Sequence, residues 1–174
     1  MCIRDRSRGI VAVSREIHHA DAYAISRKEV PSPTKKKKSG VPDCNAKNVA
    51  LSLTPAASSL GVGGSMDFTT DIKYDGSSKV GCLVDISASN VVLTIKSGDD
   101  VIWKSNVCPV DADYRLLAKG DKVKQTITWP GTRTGSECVE ESTLPKVDRG
   151  VYSAQLSIEG HPKAKSDPVG ITVE

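Results

Sequence analysis

From Val49 to the C-terminus, apolar and polar residues alternate in short runs separated by turn-forming residues. The apolar-phase positions of these runs are Val49, Leu51 and Leu53; Met66, Phe68, Thr70, Ile72 and Tyr74; Cys82, Val84 and Ile86; Val91, Leu93 and Ile95; Val101, Ile102 and Trp103; Val123, Gln125, Ile127 and Trp129; Tyr152, Ala154, Leu156 and Ile158; and Val169, Ile171 and Val173. A period of two is typical of strands that bury one face. No stretch has a helical period, so we predict an all-β domain of about seven strands.

The pentapeptide Asp148-Arg149-Gly150-Val151-Tyr152 opens directly onto one of these alternating runs. This pattern is typical of the tyrosine corner of Greek-key sandwiches, in which the phenol hydroxyl hydrogen-bonds to backbone a few residues upstream. We therefore assign structural roles to Asp148, Gly150 and Tyr152. The motif and the strand pattern together predict an immunoglobulin-like Greek-key β-sandwich over residues 44–174.

Charge divides the chain into two parts. Residues 1–43 contain ten Lys/Arg against five Asp/Glu, include the run Lys35 to Lys38, and have no apolar periodicity, so we predict a disordered basic tail. Within it, residues 1–6 resemble translated sequencing-adapter read-through, and we do not expect Met1 to be the native start. Residues 44–174 contain fourteen Lys/Arg against sixteen Asp/Glu, so we do not expect this domain to bind nucleic acid.

Four cysteines fall within the predicted domain, at Cys44, Cys82, Cys108 and Cys138. They lack C-x-x-C spacing and have no histidine nearby, which argues against a zinc site and favours two disulfides in an oxidising compartment. We therefore expect an extracellular or cell-envelope location. The chain shows neither an export signal nor a span of about eighteen apolar residues, so membrane attachment would need a segment that this sequence lacks. The alternative is four free thiols in a cytosolic protein.

The order of the strands favours one pairing of these cysteines. Cys44 begins the first strand and Cys82 follows the second, and adjacent antiparallel strands bring those two points together. Cys108 and Cys138 are then left as the second pair. Spacing alone leaves all three connectivities of four cysteines open.

The residues that usually carry catalysis are scarce. The only histidine of the domain, His161, lies in a predicted turn beside Pro162. We find no nucleophile elbow, phosphate loop or carboxylate pair, and expect neither enzymatic activity nor a cofactor. A calcium site at Asp99-Asp100 and Asp111/Asp113 is an alternative that matches no known loop, so we assign no metal ligands. Trp103 and Trp129 are predicted to be structural core residues.

The long connection over residues 130–146 is the best candidate for a binding site. It would be tethered by Cys138, and it carries Arg133 and Glu137, which we take as candidate binding residues. One interpretation is a protease-inhibitor loop. The other, which we favour, is a solvated connection that crosses between the sheets.

Several segments resemble those of a family of uncharacterised secreted or membrane-anchored actinobacterial proteins. These are Thr94 to Ser105 with Cys108, Thr126 to Trp129, Cys138, Gly150-Val151-Tyr152 and Ser166-Asp167-Pro168. The resemblance covers residues 44–174 and implies an exported immunoglobulin-like domain that follows a basic stretch and a transmembrane helix. More distantly, Trp129-Pro130-Gly131 and Gly150-Val151-Tyr152 resemble the immunoglobulin-like intracellular proteinase inhibitor domain. The family has no established activity that the resemblance would imply.

These observations favour a non-catalytic extracellular or cell-envelope module. It would bind an unidentified protein or a cell-wall glycan, or act as a structural spacer. The alternative is a protease inhibitor that acts through residues 130–146. A third reading is a cytosolic protein whose run Lys35 to Lys38 binds anionic lipid or nucleic acid.

Overall fold

The computed structural model describes residues 40–174. The predicted basic tail, residues 1–43, therefore lies outside the described residues apart from its last four positions. The prediction of an all-β fold is confirmed, since residues 40–174 form eleven strands and one short 3-10 helix and contain no α-helix. No helix in this part of the chain is long and apolar enough to cross a membrane.

The strands are more numerous than the alternation alone indicates. In chain order they are β1 (Val49–Pro55), β2 (Ser59–Leu60), β3 (Met66–Tyr74), β4 (Cys82–Asp85), β5 (Val91–Ser97), β6 (Asp100–Lys104), β7 (Tyr114–Leu117), β8 (Lys122–Trp129), β9 (Gly150–Ile158), β10 (His161–Lys165) and β11 (Val169–Val173). The alternation does not indicate β2, β7 and β10, which have two to five residues and no regular alternation of apolar and polar side chains. His161, expected in a turn, instead begins β10 and pairs with Ile158.

Two main sheets form the sandwich. The first has the order β1-β3-β8, and the second has the order β2-β11-β9-β5-β6, with β10 paired to the end of β9. Strands β4 and β7 form a separate antiparallel pair. Because β8 belongs to the first sheet and β9 to the second, the chain between them crosses the sandwich, as Greek-key topology requires.

The inward faces of both sheets pack into one core. Strands β3 and β9 bury every second residue, as their sequence alternation predicts. Phe68 and Ile72 of the first sheet and Leu93 and Leu156 of the second are fully buried. Burial of each such side chain contributes ~1.5–3 kcal/mol, so the period-two pattern accounts for much of the stability of the fold.

Both favoured disulfides are present, and they lie in different environments. Cys44–Cys82 is buried, with the two residues 2% and 0% exposed, whereas both cysteines of Cys108–Cys138 are exposed. The bridges span 38 and 30 residues, respectively. Loops of this length are stabilised by roughly 3–4 kcal/mol in the chain-entropy model. An oxidising compartment is the setting in which such bridges persist.

The buried disulfide also fixes the start of the domain. Asp43 forms a parallel bridge with Leu83 of β4, the Leu83 amide donates to the Pro42 carbonyl, and the Cys44 amide donates to the Leu83 carbonyl. Backbone pairing with β4 therefore includes Pro42 and Asp43, just ahead of Cys44.

The predicted tyrosine corner is present at the start of β9. The Tyr152 hydroxyl donates a hydrogen bond of 2.7 Å to the carbonyl oxygen of Asp148, and the Tyr152 ring is buried. Gly150 is the first residue of β9. A Cβ added to Gly150 would lie 3.7 Å from the Tyr152 ring, which is an ordinary contact, so space alone does not require glycine there.

We predict that Tyr152→Phe lowers the free energy of unfolding by about 1 kcal/mol, because the Asp148 carbonyl loses its donor while the ring still packs. Urea unfolding at neutral pH measures the change. The matched control is Val151→Thr, because Val151 is 70% exposed on the same strand and should shift stability by less than about 0.5 kcal/mol. Equal midpoints for Tyr152→Phe and the wild type would contradict the assigned hydrogen bond.

We also predict that this stabilisation disappears in strong alkali. Burial raises the pKa of Tyr152, the Asp148 carboxylate raises it further, and the Arg133 guanidinium lowers it in part. An acid whose pKa is raised in the folded state stabilises the fold while it is protonated. This stabilisation is fully present below the unfolded pKa of about 10 and is lost as the pH rises through the folded pKa. Urea unfolding of the wild type and Tyr152→Phe at increasing pH, with Cys2 alkylated, should therefore show their stability difference shrinking above about pH 10. A constant difference would oppose this.

Candidate functional site

The connection from β8 to β9, residues 130–149, is called here the β8–β9 loop. Its base folds back on itself, because Thr132 and Lys146 form an antiparallel bridge. The Val147 amide donates to the Gly131 carbonyl at 3.0 Å, and the Arg133 amide donates to the Pro145 carbonyl at 2.9 Å. The predicted binding segment is therefore a braced structure at its base rather than an extended connection.

The core holds both ends of this loop. Trp129, the last residue of β8, donates from its indole Nε1 to the Thr132 carbonyl at 3.0 Å. At the other end is the hydrogen bond from Tyr152 to Asp148. Gly131 has a φ of 63°, and a Cβ there would lie 2.3 Å from the Gly64 carbonyl oxygen, so glycine is required at that position.

The middle of the loop is attached to strand β6. The Thr134 amide donates to the Ile102 carbonyl at 3.0 Å, and the Thr134 hydroxyl accepts from the Lys104 amide at 3.1 Å. A few residues later, Cys138 is bonded to Cys108, which lies between β6 and β7. These attachments hold the loop against the edge of the second sheet.

A cavity of about 120 Å³ lies between β6 and the β8–β9 loop. Its apolar walls are Trp103, Val107, Val139 and Leu144, and its polar lining is Lys104, Ser105, Thr134, Glu137 and Glu141, with Cys108 beside them. Small-molecule sites usually measure about 300–1,000 Å³. This cavity has room for one side chain of a partner, not for a whole metabolite.

The candidate residues have different places in this arrangement. Glu137 lines the cavity and is exposed. Arg133 does not line it; its guanidinium forms a 3.0 Å ion pair with the carboxylate of Asp100 on β6, and both groups are exposed. Such a surface pair contributes about 0–1 kcal/mol, so the backbone contacts and the disulfide hold the loop more strongly than this pair does.

The two tryptophans also differ. Trp129 is fully buried in the core, as predicted. Trp103 is 8% exposed, and it both packs in the core and contributes a wall of the cavity. Its side chain therefore borders both the core and the cavity.

The aspartate clusters considered for calcium do not converge. Asp100 pairs with Arg133, and Asp113 pairs with Arg115 at 3.0 Å. Among residues 40–174, no three His, Cys, Asp or Glu side chains are grouped as metal ligands.

Sequence reasoning missed most of the cavity. Val107 and Leu144 lie in segments without periodicity, and they line the same cavity only because two loops meet. The available signal was the pairing of Cys108 with Cys138, because it brings the neighbours of each cysteine together.

No protein-family model matches the chain, and no curated protein is similar to it. Among solved structures, a β-glucosidase from Erythrobacter marinus is 12% identical with a TM-score of 0.46, over 72% of this chain and 15% of that one. The CARDB domain of a Pyrococcus furiosus protein is 9% identical with a TM-score of 0.39, over 81% and 100% of the two chains.

The sporulation control protein Spo0M from Bacillus subtilis is 13% identical with a TM-score of 0.42, over 73% of this chain and 49% of that one. The chain spans about one sixth of the length of the β-glucosidases to which it is similar, and it covers 15% of one and 16% of another. With these TM-scores below 0.5, none of these proteins supplies an activity, a ligand or a site residue for this chain.

Proposed function

We propose that this protein is a non-catalytic extracellular module that binds a partner protein by taking a basic side chain of that partner into the cavity beside β6. The observation that carries the proposal is the combination of apolar walls and exposed carboxylates in one braced cavity. In protein interfaces, the side chain of a single anchor residue of one partner typically fills such a pocket on the other.

The lining matches both parts of a lysine or arginine side chain. Trp103, Val107 and Leu144 provide apolar contact for an aliphatic stem, and such stems bury readily beneath a charged head. The exposed carboxylates of Glu137 and Glu141 attract the cationic head and outnumber the single cation of the lining, Lys104. Trp103 also lines the cavity, and a cation held over the face of an indole gains about 0.5–1 kcal/mol.

The attachment of the loop favours binding because little needs to be ordered when a partner arrives. Hydrogen bonds from Trp129, Tyr152 and the Thr134 backbone, together with the disulfide, fix the walls in the free protein. A preformed cavity spares the interface much of the entropy lost when loops become ordered.

A non-catalytic role is consistent with the chemistry of the lining. Its cysteine is in a disulfide, and the hydroxyls of Ser105 and Thr134 both accept backbone hydrogen bonds, so the exposed carboxylates have no free nucleophile beside them. General acid–base and nucleophilic catalysis usually need a positioned base beside a free nucleophile. The two disulfides support an oxidising, extracellular setting.

Protease inhibition through residues 130–146 stays a prediction, and the geometry gives it no added support. An inhibitory loop presents its reactive residue with free backbone, whereas the amide of Arg133 donates to Pro145 and its side chain pairs with Asp100. Incubation with serine proteases and metalloproteases tests it, and a stable complex at this loop would favour it over the partner-binding proposal.

We predict that Nα-acetyl-lysine N-methylamide binds the cavity weakly, with a Kd on the order of 1 mM. In NMR titrations of the full chain, it should shift the indole resonance of Trp103, assigned with Trp103→Phe. The norleucine analogue, which keeps the stem and lacks the charge, should bind about threefold to tenfold more weakly. Equal binding of the two compounds, or no shift at Trp103, would exclude a cation-selective cavity.

The carboxylates are tested by substitution. The double variant Glu137→Gln/Glu141→Gln should bind the lysine probe no better than the norleucine analogue, because the attraction for the charged head is gone. Glu159→Gln is the matched control, since Glu159 is exposed after β9 and outside the cavity lining. If the double variant retains wild-type affinity, the proposed role of these glutamates is wrong.

We predict that mild dithiothreitol reduces Cys108–Cys138 before Cys44–Cys82. Thiol–disulfide exchange needs access to a sulfur, and of these two pairs only Cys108–Cys138 is exposed. Alkylation followed by peptide mass spectrometry identifies the reduced pair. Reduction should also weaken binding of the lysine probe, since the loop loses its covalent tether to the β6–β7 connection. Simultaneous reduction of both pairs, or unchanged probe binding after reduction of Cys108–Cys138, would contradict this account.

A further inference from the structure

A second surface lies on the solvent face of the second sheet, away from the core. A shallow groove of about 260 Å³ crosses β5, β6 and β9 there. Its lining residues are Thr94, Lys96, Val101, Lys104, Ser153, Gln155, Ser157 and Pro168. These residues include no carboxylate and no aromatic ring, so the groove has a basic and hydroxyl-rich character.

The strand register brings its two cations together. Thr94 of β5 is opposite Lys104 of β6, and Lys96 lies two residues along β5 on the same face. The register shifts at a bulge between Ile95 and Lys96, so Lys96 is opposite Val101, and both lysines line the groove. Neither ammonium forms an ion pair within the described residues, and the lining of the groove contains no carboxylate.

The outer face of the first sheet shows a different pattern. There, Lys124 of β8 pairs with Asp71 of β3 at 3.5 Å, and Asp67 accepts a 2.6 Å hydrogen bond from Thr128. That face carries carboxylates as well as cations, although Lys73 and Lys122 are opposite each other on it, whereas the charged residues that line the groove of the second sheet are cations alone. The contrast indicates that the groove is complementary to an anion.

The floor of the groove offers hydrogen-bonding groups to a polar ligand. The hydroxyls of Thr94 and Ser153 have no hydrogen bond to another described residue. Gln155 donates from Nε2 to the Ser166 carbonyl at 2.9 Å, which fixes its amide and leaves Oε1 as an acceptor at the groove. Short hydroxyls and an oriented amide are suited to the hydroxyl groups of a sugar ring.

We propose that this groove binds an acidic polysaccharide, with Lys96 and Lys104 pairing with uronic-acid carboxylates and Thr94, Ser153 and Gln155 bonding to ring hydroxyls. The uronic-acid carboxylates provide the two ammonium groups with anionic partners, which the lining of the groove does not contain. The site is distinct from the cavity, although Lys104 lines both surfaces.

A nucleic acid fits the groove less well. Proteins that hold single strands combine a basic track with aromatic rings on which bases stack, and no ring lines this groove.

Titration of the full chain with trigalacturonate tests the proposal. In amide NMR spectra, Thr94, Lys96 and Ser153 should shift, and the affinity should fall as salt is raised. Lys96→Gln should weaken binding about threefold to tenfold, while leaving the lysine probe of the cavity unaffected because Lys96 does not line it. Lys122→Gln is the matched control, because Lys122 is exposed on β8 of the other sheet and should bind like the wild type.

Two further ligands separate acidic-glycan recognition from its alternatives. The methyl ester of trigalacturonate keeps the sugar rings without the charge, and it should bind at least about threefold more weakly than the acid. Oligothymidylate of matched charge should also bind more weakly. The proposal is overturned if trigalacturonate does not bind, if the ester or oligothymidylate binds as tightly, or if Lys96→Gln has no effect.

Discussion

Two aromatic rings, one from each sheet, fix the geometry on which the rest of this protein depends. Trp129 at the end of β8 and Tyr152 near the start of β9 lie with ring centroids 5.7 Å apart, tilted by 54°. Each ring is buried, and each directs its polar atom to the β8–β9 loop, the indole to Thr132 and the phenol to Asp148. The contact between the two sheets therefore also sets both ends of the loop that builds the cavity.

The two disulfides constrain different parts of the protein. Cys44–Cys82 is enclosed by the core and joins the segment before β1 to β4, so it belongs to the fold. Cys108–Cys138 is exposed and joins two loops, so it belongs to the surface that these loops form. Because a buried bridge is protected from attack and an exposed one is not, the core can stay intact when the loop is released.

The fold could be predicted from the sequence because its signals are local. Alternation in β3 and β9 assigns each residue to the core or to solvent without knowledge of its partners. The tyrosine corner is confined to Asp148 through Tyr152, and the order of the strands favours the disulfide pairing that the structure has. Strands β2 and β10 were missed because their pairing with β11 and β9 is imposed by neighbours rather than by their own patterns.

The binding surfaces could not be predicted in the same way, because they depend on residues that are distant in sequence. Glu137 was identified from its loop, but its neighbours Trp103 and Leu144 come from two other segments. Arg133, chosen for its charge, proves to pair with Asp100 across to β6, which alternation does not reveal. Along β5, inward residues such as Leu93 and Ile95 maintain the core while Thr94 and Lys96 face solvent. The inner face of a strand thus maintains the core, while its outer face is available for binding. Substitutions on the outer face therefore alter binding with little loss of stability.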